Sequence, residues 1–127
     1  MAASNYLENA LLNYVLRNVG TPTTATVYLA LFTTSPTDAD TGTEVSTGAY
    51  ARQATAFDAA AAGVTQNTAL ESFTASGASW GSITHIGIYD AATTGNLLYW
   101  AIMTTPRTIN DGDTLEFAAG SVTVTLT

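Results

Sequence analysis

Trp80 to Met103 reads WGSITHIGIYDAATTGNLLYWAIM and decides the fold. It holds both tryptophans, two of the six tyrosines and the only histidine. Ile83, Ile86, Ile88 and Tyr89 form one apolar run; Leu97, Leu98, Tyr99, Trp100 and Ile102 form another. Between them Asp90 to Asn96 (DAATTGN) carries turn residues and no long apolar side chain, which predicts a β-hairpin. Both faces of both strands are apolar. Such a hairpin sits centrally in a sheet or sandwich, or turns one face to a partner.

Outward from the hairpin, the chain in order supports a mainly β reading. Val27, Leu29 and Leu31 alternate with Tyr28, Ala30 and Phe32 in a strand over Thr26 to Thr33. A long polar loop, Thr34 to Gly48, follows; loops of that length usually carry contacts. Tyr50 to Phe57 resumes extended structure, Ala59 to Gly63 reads as a linker, and a strand is expected near Leu70 to Ala75. Thr104 to Asp113 reads as a turn region, Leu115 to Phe117 as a short strand, and Ser121 to Thr127 as a final strand. In that last strand Val122, Val124 and Leu126 form the inner face.

Before the strands comes one helix. Ser4 or Asn5 starts it, and Asn5 with Glu8 fits a capping box. Gly20 is placed to end it and Pro22 to block continuation. Leu7, Leu11, Tyr14, Val15 and Asn18 share a face, with Leu12, Leu16 and Val19 beside it. The arc is wider than one docking face needs. Leu7, Leu11, Leu12, Tyr14, Val15 and Leu16 are therefore the candidate partner-binding residues; a helix plugging one end of the sheet is the competing reading. The expectation is one domain over 1–127, an antiparallel β-sandwich or barrel-like fold with one N-terminal α-helix: helix in 1–20, β domain in 21–127. Because Gly20-Thr-Pro22 separates helix from sheet, the sheet is expected to pair without it.

Composition narrows function. The 127 residues include no cysteine, so disulfides, thiolate metal sites and a cysteine nucleophile are excluded. Charged residues are 10%, far below the roughly 25% of an average domain, which suits permanent packing against neighbours. Three basic residues against ten acidic ones give a net charge of −7 and argue against nucleic acid. No apolar run approaches the roughly 18 residues of a membrane span, and the N-terminus lacks a secretory pattern. Synthesis in the cytoplasm without membrane insertion is the expectation.

Chemistry-bearing motifs are sparse. His85 stands alone in a strand, and no GxSxG, GxGxxG or phosphate loop accompanies it. Asp38, Asp40 and Glu44, and separately Asp111 and Asp113, offer loop carboxylates short of a calcium loop. Tyr28, Tyr50, Trp80, Tyr89, Tyr99 and Trp100 suit sugar stacking if exposed, and core if not. No cofactor, metal site or enzymatic constellation is read from the residues.

The order of NYLENALLNYVLRN, VYLALFTTSPTDADTGTEVSTGAYARQATAF and the segment from Trp80 to Leu126 resembles a family of short tailed-bacteriophage virion proteins, the small tail-fibre or minor structural proteins. The resemblance spans nearly the whole chain. It implies a β-rich structural protein of the virion, without catalysis or cofactor, contacting other phage virion proteins. Some relatives of this kind decorate capsids as trimers, so head and tail placement both stay open. Added to the apolar excess, this makes a homo-oligomer, most simply a trimer, the expectation. Attachment falls to the helix and the exposed surface to the loop Thr34 to Gly48. A host-surface glycan is a further possible partner, and a stand-alone carbohydrate-binding module is the alternative of another class.

Overall fold

The computed structural model describes residues 1–20 and 26–127; Pro22 lies outside them. The described elements are β1 (Ala2–Ala3), α1 (Asn5–Arg17), β2 (Val27–Phe32), β3 (Gln53–Thr55), β4 (Val64–Gln66), β5 (Glu71–Thr74), β6 (Gly81–Tyr89), β7 (Leu97–Ile109), β8 (Thr114–Phe117) and β9 (Thr123–Thr125). Every strand pair is antiparallel. A five-stranded sheet runs β1-β7-β6-β2-β3, and two-stranded sheets β4-β9 and β5-β8 form the second layer of a sandwich-like fold.

The expected hairpin is the centre of the large sheet, with β6 and β7 joined through Asp90 to Asn96. Asp90 closes that turn by accepting from the Asn96 backbone N–H at 2.7 Å and its side-chain amide at 2.9 Å. One face of the sheet, through Leu29, Leu31, Ile86, Ile88 and Leu98, meets Phe73, Leu115, Val122 and Val124 of the second layer in the main core. The other face gathers Ala30, Phe32, Tyr89 and Leu97 in a smaller cluster, with Trp100 packed against it. A bulge sorts the hairpin's second strand between these clusters. Ile88 pairs with Tyr99 but Tyr89 pairs with Leu97, so Leu98 is the extra residue and turns to the main core.

That second apolar face is not left for a partner alone; the chain's own long loop covers much of it. Pro36 of the loop is buried. Tyr89 Oη donates to Asp40 Oδ1 at 2.6 Å, and Trp100 Nε1 to Asp38 Oδ1 at 2.8 Å. Gly42 permits the close return, since a Cβ there would lie 2.6 Å from the Pro36 Cα. The loop's outer residues from Thr37 to Thr41 stay exposed.

Several expectations are corrected. Thr104 to Ile109 is strand, not turn: β7 runs thirteen residues. Pro106 fits because the pairing is interrupted there. Ile83 faces Arg107 and His85 faces Ile102, so Thr84 alone spans Met103 to Pro106, and a bulge is where a strand tolerates proline. β4 forms immediately after the alanine-rich linker. Leu126 is 56% exposed instead of completing the inner face of β9. The helix ends at Asn18 in the left-handed region (φ 54°, ψ 41°), two residues before Gly20. Nor is the N-terminal segment separate from the sheet. Ala2 and Ala3 pair with Trp100 and Tyr99, and the Ser4 N–H donates to Leu98 O at 2.8 Å.

The core also holds one carboxyl. Glu71 on β5 is only 9% exposed; burial raises its pKa, partly offset by a hydrogen bond with Thr55. A raised acid pKa means the native state favours the protonated form. The resulting stability is present below the ordinary carboxylate pKa and is lost as pH rises through the folded value. Glu71→Gln should therefore raise the urea midpoint at pH 7 and leave it unchanged near pH 4. A lower midpoint at pH 7 would show that the ionised carboxylate is needed.

Candidate attachment surface

The helix is built from its N-cap outward. Ser4 (φ −75°, ψ 160°) accepts the Leu7 N–H on its hydroxyl, and Glu8 lies in the first turn against the positive end of the helix dipole. The same hydroxyl donates to Leu97 O, and the Asn5 N–H donates to Asp38 O at 2.9 Å. Cap, hairpin and loop thus fix the first turn as one unit.

Leu7 is 4% exposed and joins the main core, and Leu11 packs half-buried against it. Past that point the helix keeps apolar side chains in solvent: Leu12 is 57% exposed, Val15 70% and Leu16 75%. Their spacing is i, i+3, i+4, one continuous stripe. Tyr14 is also exposed. Of the six candidate partner-binding residues, Leu7 and Leu11 serve the chain's own core, while Leu12, Tyr14, Val15 and Leu16 reach the surface. Val19, 51% exposed, follows the cap at Asn18 and borders Asn9 and Asn13 instead of extending that stripe. Arg17 turns to Asn13 Oδ1 at 3.0 Å. Beside the helix, a cleft of about 340 Å³ is lined by Leu7, Leu11, Val27, Phe57, Leu98 and Leu126 among others. Apolar surface therefore continues from the stripe into the fold.

The other candidate residues are engaged within the chain. Glu44 forms a bidentate ion pair with Arg52 at 2.8 Å for both bonds and accepts the Tyr50 hydroxyl at 2.8 Å. Asp38 and Asp40 hold Trp100 and Tyr89, as above. Asp113 accepts from the Asn110 N–H and closes a turn, and Asp111 accepts from the Gly77 N–H, tying that turn to the connection between β5 and β6. Among the described residues no group of three or more potential ligands is placed to hold a metal ion. His85 is half-buried, its Nδ1 2.8 Å from the Thr84 hydroxyl, and burial lowers its pKa. Trp80 and Tyr89 are buried, and Tyr28, Tyr50, Tyr99 and Trp100 are intermediate.

Sequence reasoning missed one cluster altogether. Arg52 lies with its guanidinium carbon 3.6 Å from the centre of the Tyr89 ring. Its Nη1 also donates to Ala91 O at 2.9 Å and Thr94 O at 2.7 Å in the hairpin turn. Burial works against its charge, but the hydrogen bonds and attraction of Glu44 outweigh that and raise its pKa. Burial raises the pKa of Tyr50 and of Tyr89, and for Tyr89 the bond to Asp40 adds to it. A lone arginine in GAYARQ gave no signal of this.

The family model described as "Podophage GP4 fiber I protein gp80" matches residues 2–125. The chain belongs to that family of phage fibre proteins. Comparison with curated proteins found no match. Among the described residues no helix is long and apolar enough to cross a membrane.

Proposed function

We propose that this chain is a small, non-enzymatic tail-fibre or minor structural component of a phage virion, which self-associates and attaches to the particle through the exposed stripe of α1. Leu12, Val15 and Leu16 carry the reading. Three large apolar side chains in water along one helical stripe are unusual for a monomer's surface. The helix-in-groove mode of recognition uses the same spacing. Low charge on the chain as a whole favours permanent neighbours over free solution.

The test is a Leu12→Ser, Leu16→Ser double variant of the full chain. Both side chains are exposed, so circular dichroism and melting should match the parent. Burying each leucine is worth at least about 1.5 kcal/mol, so losing both should weaken association on the order of 100-fold. Sedimentation should show the parent associated, with a trimer as the simplest stoichiometry, and the variant dissociated. Particles lacking the protein should take up the parent and not the variant. A folded variant that still associates and still loads onto particles overturns the role of α1. Cryo-EM of loaded particles assigns head or tail; uptake by the capsid lattice alone would make it a decoration protein.

A further inference from the structure

A second surface, independent of α1, lies along the outer edge of β7. The sheet ends in β1, which covers only Trp100 and Tyr99 of that thirteen-residue strand. From Ala101 onward the outer edge of β7 has no strand partner among the described residues. The second layer does not close the gap, because β8 pairs only with β5 and β9 only with β4. Between β7 and the β8–β9 connection runs a groove of about 420 Å³. Buried Ile86, Leu115 and Val122 contribute to its floor, Ala101 and Met103 to one wall, and Phe117 and Ala118 to the other.

We propose that this groove takes an extended, uncharged segment of another polypeptide, added antiparallel to β7 in line with β1. The β1–β7 pairing shows that this edge accepts an antiparallel strand and fixes the register, with Met1 already lining the groove where β1 stops. Main-chain bonds to β7 supply affinity, and alternate side chains facing the floor supply selectivity. Small or medium apolar side chains suit those positions, with polar ones outward. A second copy of β7 is the poorer occupant. Antiparallel pairing with a second β7 would bring a second interruption at Met103 to Pro106 and a second Arg107 into the same strand pair, whereas a regular strand meets each only once.

Short synthetic peptides tiled across the other structural proteins of the parent phage are the probe, read by amide exchange and binding to the full chain. Peptides with alternating apolar residues should bind and protect amides at Ala101 to Met103. Ala118→Trp, which fills the groove from its rim, should weaken that binding at least about tenfold with melting unchanged. If that variant does not fold, Thr105→Trp on the opposite wall serves instead. Three outcomes overturn the proposal: no tile binds, binding survives the filled groove, or the filled groove dissociates the chain from its own copies with no peptide present.

Discussion

Arg52→Ala should cost about 3 kcal/mol of stability, the lower end of the range for breaking a buried ion pair. The Arg52 side chain is 7% exposed and Glu44 24%, so the carboxylate left behind is only partly rescued by water. It retains one donor, the Tyr50 hydroxyl, which itself accepts the Leu31 N–H at 3.0 Å. The cost does not stop at the pair. Ala91 O and Thr94 O lose their shared donor and Tyr89 loses the cation on its ring. Exchange in the turn Asp90 to Asn96 should accordingly rise. Arg52→Lys keeps the charge but cannot make the fork to Glu44 and reach the turn together, so it should recover less than half of the loss. Urea denaturation decides: a cost below about 1 kcal/mol would make the cluster ornamental. A double-mutant cycle with Glu44→Gln separates the pair from the turn contacts.

How much of this was legible in the sequence depends on the range of the interaction. The hairpin was legible because its signal is local: two apolar runs and a turn cluster within one stretch. β2, β5 and β8 were found close to their bounds for the same reason. β1 was not, since two alanines have no pattern and become a strand only because β7 offers an edge. The interrupted part of β7 failed differently. Thr-Thr-Pro-Arg has the composition of a turn, and it is carried as strand only because Ala101 and Ile102 before it and Arg107 to Ile109 at its end pair with β6. The cover over the second apolar face was also hidden, because Asp38 and Trp100 are 62 residues apart and Asp40 and Tyr89 are 49 apart. For the helix, periodicity gave the wide apolar arc but not which part of it docks. Leu7 and Leu11 were assigned alongside Leu12 and Leu16, although only the first pair lies over the core. The separation into partner face and core face is a tertiary property.

The two tryptophans carry the last expected result, which parts them. From the sequence alone, Trp80 just before one hairpin strand and Trp100 within the other read as neighbours in one core. Trp80 is 6% exposed within the main cluster, whereas Trp100 is half-buried against the smaller one on the opposite face. Trp80→Ala should cost about 3–5 kcal/mol, the range for emptying a large aromatic site. Its ring packs edge-on against Tyr50 with centroids 5.6 Å apart. Its Nε1 donates to Thr47 O at 2.8 Å and Gly48 O at 3.1 Å. The backbone around it is fitted to the indole: Gly48 has φ +61°, and a Cβ there would lie 2.7 Å from Nε1. Little can therefore move in to fill the space. Trp100→Ala removes a ring with solvent on one side and one hydrogen bond to an exposed aspartate, so it should cost only about 1–2 kcal/mol. Its damage should be local, loosening the loop from Thr33 to Glu44 rather than the sandwich. Paired urea titrations test the difference, with amide exchange at Asp38 to Thr41 as the local probe. Equal losses would mean that the second cluster bears on global stability as much as the main core, and that the loop is no mere cover.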